Sequence, residues 1–548
     1  MGDVARAVQA LASAGEGQLP LDLRERALQT CAQASAQGWP LYVELLAEAE
    51  SLQLRFWCLS GLLDLAWGRT GVLDDKGSAV LRSAMPAWAR LATDPAERNK
   101  VAALWVALVR RDYPASWPAA FGELLACDGL ALPALGFLIE DGAGEAACSD
   151  LMRAFVRLEL PALCGWVAQS PQGDGRRALL LARMSAFLPM EVMRGFPFPD
   201  APDRFDAAVA ILDNAGEHEA ASVRATLRME LLNSWQCLSW MEDQEHVEKA
   251  AELCCTIAET LWGILADAAV ETKLRVAAWD ALQRLLPTAL GFFRSSNRDF
   301  RIADSMEEFF SLAFSVRLPD VPQEQMQRLL VAVLDASLAH YTSPAWMEGM
   351  DADDDDYVAF IEFKRDLRRL LKTMRGYDPD AFDKQLRQRL LSPELQAQPE
   401  PLEGALCVLC QIAGTGGPGQ WQEVMQQVIV RPPLATPGLC TAVLELIQKF
   451  AALIDGQLVA QCLELLVCCV REHRHASLAS RVLQHFVTSR REDVTPFASH
   501  IHGQLAPLLG AVAGTSGMNR ESLCVTFGAL CSTMRGEVQR ASVRTALQ

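Results

Sequence analysis

Histidine is scarce in this chain, with eight residues among 548. General acid–base catalysis uses histidine most often, so eight scattered copies leave that chemistry little to work with. No Gly-x-Ser-x-Gly, His-Glu-x-x-His or convincing cysteine–histidine pairing for nucleophilic catalysis is present either. The chain therefore reads as a binding protein and not as an enzyme. Aromatic residues are only 7% of the composition, and alanine and leucine outnumber the strand-favouring types, which points to helix over sheet. No stretch approaches the ~18 consecutive apolar residues of a membrane span. The opening MGDVARAVQALASAG lacks a charged start followed by an apolar run, so no secretory leader is expected. Lysine is confined to eight positions, among them Lys100, Lys364 and Lys372. Arginine carries the remaining positive charge. Phosphate recognition would produce that bias, and genomic base composition produces it without any ligand.

What is abundant sets the scale. At 548 residues the chain is too long for one compact core of ordinary size, so several domains or one elongated repeat are expected. Apolar content of 51% against 22% charged describes a folded chain. The formal net charge of −18 excludes nucleic-acid binding through the overall field; any contact with RNA needs a local basic face. An acidic body suits a basic protein partner better. Sixteen cysteines spread over this length fall below the density of a disulfide scaffold. Together these features predict a soluble, reduced, intracellular protein.

Apolar residues recur with helical spacing in PLYVELLAEAE (40–50), LQLRFWCLSGLLDLAW (52–67), SAVLRSAMPAWARLA (78–92) and NKVAALWVALVRR (99–111). The same texture returns at 247–268, 272–287, 305–316, 323–341, 437–454 and 457–473. Nothing alternates with period two for long enough to argue a sheet. The pairs 40–67 and 78–111 begin about one HEAT or armadillo period apart, ~40 to 47 residues. The expected fold is all-α: an α-solenoid superhelix of HEAT-like antiparallel helix pairs, about a dozen of them at that period. Breaks at 169–177, 196–205, 348–356 and 413–420 read as loops within one array, dividing it into regions 1–170, 171–345 and 346–548.

One loop is unusual. In VRRDYPASWPAAFGELL (109–125) two prolines, Pro114 and Pro118, interrupt the helical rhythm. The spacing predicts that Pro114 ends one helix, that Ser116 or Trp117 caps the next, and that Pro118 lies in its first turn. Trp117 then packs into the corner, making the segment the elbow of a repeat. Residues 98–125, RNKVAALWVALVRRDYPASWPAAFGELL, resemble the N-terminal region of the exportin branch of the importin-β (karyopherin) superfamily, where an Arg-Asn-Lys helix runs into a Tyr-Pro-x-x-Trp-Pro turn. The upstream LRFWCLSGLLDLAW and SAMPAW resemble the preceding pair. A second segment, 341–390, is similar to the middle of exportin-T, the tRNA exportin. There an acidic loop precedes a helix of the form Phe-x-Glu-Tyr/Phe-Lys/Arg-x-x-Leu, here Phe360, Glu362, Phe363, Lys364 and Leu367. Weaker likeness runs through 150–167, 298–314 and 436–453.

The resemblance implies a nuclear export receptor that binds tRNA together with Ran-GTP, shuttles between nucleus and cytoplasm, and touches nucleoporins. It implies no membrane, no cofactor and a monomer. It also implies that Ran is held by the N-terminal repeats and that a C-terminal half of the family's usual length is missing. Ran-GTP and tRNA would each stabilise one wrapped state and so raise each other's affinity. Two other readings stay open: a karyopherin with a protein cargo, and a HEAT-type scaffold that has lost its Ran site.

The densest charge is Asp351, Asp353, Asp354, Asp355 and Asp356. Counted as a calcium loop it offers Asp351, Asp353, Asp355 and Glu362, but it lacks the glycine required at the sixth position. It reads as a solvated acidic loop or, by the resemblance, as one facing Ran. On the next helix, Phe360, Phe363, Leu367, Leu370 and Met374 form an apolar stripe, and Arg365, Arg368, Arg369 and Lys372 form a basic one. That basic stripe, with Arg110 and Arg111 at the elbow, is the candidate RNA-phosphate surface. It also reads as an exposed helix face, and Arg110 and Arg111 suit a helix C-terminus electrostatically. Cys407-Val-Leu-Cys410 and the group Cys468, Cys469, His473 and His475 have metal-like spacing, yet sit in apolar helical patterns where cysteine is a small buried hydrophobe. GTGGPG at 414–419 follows a helix and lacks the Lys-Ser/Thr of a phosphate cradle.

Overall fold

The computed structural model describes residues 2–13, 20–142, 146–169, 175–217, 219–235, 237–241, 245–294, 300–340, 354–412, 421–430, 436–454, 456–471, 475–511 and 517–533. Among them every regular element is a helix, as the scarcity of strand-forming patterns predicts. The chain divides into two compact units, Met1–Thr260 with Ala269–Leu274, and Leu261–Ala268 with Arg275–Gln548.

In the first unit, the expected pairs are Trp39–Glu48 with Leu52–Ala66 and Asp75–Leu91 with Pro95–Asp112. Each turn carries its own stop and start chemistry. Ser51 accepts from the Leu54 N–H at 3.3 Å, and Asp94 accepts from the N–H groups of Ala96 and Glu97, with Pro95 at the first helical position. Gly61 is where Tyr42 crosses its partner helix: a Cβ there would lie 2.2 Å from the tyrosine ring. One helix of each pair stacks on the equivalent helix of the next: Leu52–Ala66 on Pro95–Asp112, then Asp128–Gly142, Arg176–Arg183 and Asp203–Asn214. The second unit repeats the scheme along Gln323–His340, Pro379–Leu390, Pro399–Ile412, Pro437–Phe450 and Ala476–Ser489. This is the layered packing of HEAT-like pairs, in which each pair buries its apolar face only against its neighbours.

Two expectations about helix ends are corrected. The segment 272–287 does not stop at Pro287; its helix is Thr272–Phe293. Helices likewise run through Pro86, Pro133 and Pro161. None of these four rings is buried, so each sits toward the solvent side, where a bent helix tolerates a missing hydrogen bond. At the elbow, Ser116 and Trp117 do not cap the second helix. Both N–H groups bond back to the Asp112 carbonyl, at 2.7 and 3.1 Å, and the helix begins later, at Ala120–Leu125. Trp117 does pack into the corner: its ring stacks on Trp105 with centroids 5.2 Å apart. Phe121 then lies between Tyr113, edge-on at 4.8 Å, and Phe155, stacked at 3.8 Å.

Candidate functional site

The helix Asp355–Tyr377 carries most of the sequence-derived candidates, and its three faces have different fates. It starts on the acidic run. Asp354 is the N-cap, accepting from the Asp356 N–H at 3.0 Å, and Asp355 and Asp356 occupy the first turn, where negative charge complements the helix dipole. Asp356 also pairs with Arg301 at 2.6 Å. Three of the five aspartates therefore build a helix terminus. Asp351 and Asp353 lie outside the described residues.

The inward face buries Phe360, Phe363, Leu367, Leu370, Leu371 and Met374. Phe360 and Phe363 meet Phe300 of the neighbouring helix Phe300–Ser315 at centroid distances of 5.6 and 5.7 Å. Burying each such ring contributes about 1.5–3 kcal/mol. Lys364 turns toward this layer, its Nζ 4.8 Å from the Phe360 ring, and burial pushes its ammonium below the usual lysine range. The residues of the exportin-T-like signature are thus mostly packing residues; among them Glu362 is exposed.

The outward face is Val358, Ile361, Arg365, Arg368 and Lys372, all exposed. Steps of three and four keep these side chains on one side of the helix. Arg368 and Lys372 make no ion pair among the described residues, and Arg365 has only its neighbour Asp366 at 3.8 Å. Arg369 lies off this line and is engaged, 3.4 Å from Glu307 and 3.6 Å from Asp366. Burial holds the Glu307 carboxyl above the usual range, against the downward pull of the Ser311 hydroxyl bond and the Arg369 charge.

The elbow arginines are engaged more fully. The Arg110 guanidinium sits 4.7 Å from the Trp67 ring centroid. Arg111 donates to the Leu73 carbonyl and pairs with Asp75 at 2.7 Å. Both tie the last turn of Pro95–Asp112 to the preceding loop. Of the six candidate cations, Arg365, Arg368 and Lys372 form one accessible line; Arg110, Arg111 and Arg369 are held by internal partners. Sequence spacing could not show those partners, since Asp75 is 36 positions from Arg111 and Glu307 is 62 from Arg369. The apolar start of the outward line, Val358 and Ile361, does carry a local signal in its helical spacing.

No group of three or more metal-ligating side chains forms among the described residues. Cys410 is buried and donates to the Ala442 carbonyl at 3.7 Å. Burial pushes the Cys407 thiol up to about 12, which keeps it protonated. Cys468 is exposed and Cys469 is buried, 4.0 Å from Cys440, so the adjacent pair faces two directions. His473 and the GTGGPG loop lie outside the described residues. No described helix is long and apolar enough to cross a membrane.

No family model matches the chain, and no curated protein matches it. Solved structures do. The chain is similar to the karyopherin Kap121p bound to the extreme C-terminus of the protein phosphatase Cdc14p, with 15% identity, 97% of this chain and 49% of that chain covered, and a TM-score of 0.59. A second structure of Kap121p matches with 15% identity, the same coverage and a TM-score of 0.55. The chain thus spans about half the length of these structures. At this identity the likeness is one of fold: an all-α array of HEAT-like helix pairs of the kind that karyopherins use.

Proposed function

We propose that this chain works as a nuclear transport receptor of the karyopherin type, gripping a macromolecular partner without chemistry of its own. The observation that carries this reading is the fold likeness to Kap121p along 97% of the chain. In this reading the protein shuttles between nucleus and cytoplasm as a monomer and touches nucleoporins on the way.

The cargo admits two finer readings. Export of tRNA with Ran-GTP, as in exportin-T, is supported by the sequence segments at 98–125 and 341–390 and by the exposed line Arg365, Arg368 and Lys372. The acidic residues 351–356 would then face Ran. A protein cargo is supported by the fate of the cations. Gripping RNA draws on many phosphate contacts, and three of the six candidates are spent on Trp67, Asp75 and Glu307. The Kap121p structure, moreover, holds a protein segment. We favour the protein cargo.

The test is recovery of bound partners on the immobilised full chain, with Ran locked in its GTP form and with or without tRNA. Recovery of tRNA that depends on Ran-GTP establishes the exportin-T reading. Ran-GTP retention without tRNA leaves the protein-cargo receptor. Failure to retain Ran-GTP under either condition removes the transport reading and leaves a HEAT-type scaffold.

A further inference from the structure

In the first unit, a cavity of about 710 Å³ opens where two successive helix pairs meet. It lies between the end of Asp75–Leu91, the start of Pro95–Asp112, the short helix Ala120–Leu125 and the start of Asp128–Gly142. That volume falls within the ~300–1,000 Å³ typical of ligand sites. Its polar walls are Arg90, Arg98, Glu123, Thr93 and Cys127, and the rest is alanine, Pro86 and Gly129.

The two arginines are held in place but not neutralised. Arg90 Nε donates to the Pro86 carbonyl at 3.0 Å, and Arg98 Nη2 donates to the Thr93 carbonyl at 3.3 Å. Each guanidinium keeps further N–H groups, and neither makes an ion pair among the described residues. By contrast, Arg55, Arg82, Arg111, Arg194 and Arg375 each find a carboxylate. The cavity's own carboxylate, Glu123, is turned to Trp117, accepting from its indole Nε1 at 3.3 Å. Anchoring each arginine through a main-chain carbonyl lowers the entropy lost when it binds an anion. Leu91, between lining residues Arg90 and Ala92, is 70% exposed and adds apolar surface in the same stretch.

We propose that this cavity binds an acidic peptide segment of a protein partner, with a carboxylate taken by Arg90 and Arg98 and the peptide's apolar atoms laid on the alanine wall. Guanidinium matches a carboxylate through paired N–H donors. The alanine wall suits a peptide and offers nothing to a ribose-phosphate chain. The inference concerns a site outside the Asp355–Tyr377 helix and does not depend on the transport reading.

The experiment uses the full chain and three fluorescein-labelled probes: a nonapeptide of alternating Glu and Ala, the same peptide with Gln for Glu, and tRNA. Anisotropy is expected to show binding of the Glu peptide and none of the Gln peptide. Arg90→Ala and Arg98→Ala should each weaken the Glu peptide about tenfold, the loss of one charged hydrogen-bond partner, with circular dichroism unchanged. Should either variant fail to fold, the wild-type chain still answers: the Glu peptide is expected to slow alkylation of Cys127 by N-ethylmaleimide, read by peptide mass mapping. Equal affinity for the Glu and Gln peptides overturns the proposal. So does an unprotected Cys127, or tRNA binding that both arginine variants abolish while Glu-peptide binding is absent.

Discussion

Two helices of this protein end or continue in arginines, and the protein uses them in opposite ways. At the end of Pro95–Asp112, Arg110 lies on Trp67 and Arg111 holds Leu73 and Asp75. Along Asp355–Tyr377, Arg368 and Lys372 are exposed with no ion pair among the described residues. Both segments look alike as sequence: cations on an amphipathic helix beside a turn. The difference lies in what the neighbouring pair brings within reach. The turn before Asp75–Leu91 and the first residue of that helix lie against the terminus of Pro95–Asp112, and the Leu73 carbonyl and Asp75 carboxylate take up the Arg111 charge. The outward line of Asp355–Tyr377 meets no such partner among the described residues. A cation's type and spacing therefore say little about its availability; the packing of the next repeat decides.

The sharpest way to break this comparison is to attack the elbow's packing. Phe121 is fully buried between Tyr113 and Phe155. Phe121→Ala is expected to cost about 3–5 kcal/mol, read as a lowered urea midpoint by circular dichroism. A loss under about 1 kcal/mol would show that the elbow is not the anchor of its repeat. Next, Arg111→Ala should cost about 1 kcal/mol, because it leaves the Leu73 carbonyl without its donor, whereas Asp75 is fully exposed and adds little. Equal stability of this variant and wild type would erase the contrast with the second helix.

His340 probes the inward side of Asp355–Tyr377, since it packs edge-on to Phe363 at 5.7 Å. Burial holds its pKa below the usual 6.5, with the Phe293 carbonyl opposing. The unfolded chain therefore binds a proton that the folded chain resists. Stability should fall as the pH drops below about 6.5, with a limiting slope of about 1.4 kcal/mol per pH unit. Urea midpoints at about pH 7.5 and 5.5 should differ more for wild type than for His340→Gln; an equal difference removes His340 from the account.

The smallest expected effect on stability sharpens the comparison from the other side. Arg365→Ala, Arg368→Ala and Lys372→Ala should each lie within about 0.5 kcal/mol of wild type. If RNA is the cargo, the combined variant should lower the salt dependence of tRNA binding by about two to three charges. An unchanged slope would show that the line does not face RNA and would strengthen the protein-cargo reading.

Much of the fold was legible in advance because it rests on local rules. LQLRFWCLSGLLDLAW became Leu52–Ala66, and QLVAQCLELLVCCVREH became Gly456–Arg471. Misjudged points all involve proline and turns. The helix drawn to 287 runs on to Phe293, since the exposed Pro287 ring faces away from the core. Ser116 and Trp117 did not cap, since the chain stays in a turn bonded back to Asp112 and the helix starts only after Ala119. The candidate surface was half legible: the line of Arg365, Arg368 and Lys372 follows from spacing, whereas the engagement of Arg369 by Glu307 does not. Arg98 stood out only as the start of the Arg-Asn-Lys segment and Arg90 not at all, because the two sit on different helices and share a cavity only once those helices pair.

By itself, the order of apolar and polar residues determined that this chain makes helices, pairs them and stacks the pairs. Those outcomes follow from periodicity and burial acting within each repeat. Which charges stay free, which are cancelled and where a cavity opens were decided only when one repeat met the next. Coulomb attraction and desolvation depend on distances in space, and residues 36 or 62 positions apart have no distance until the chain folds.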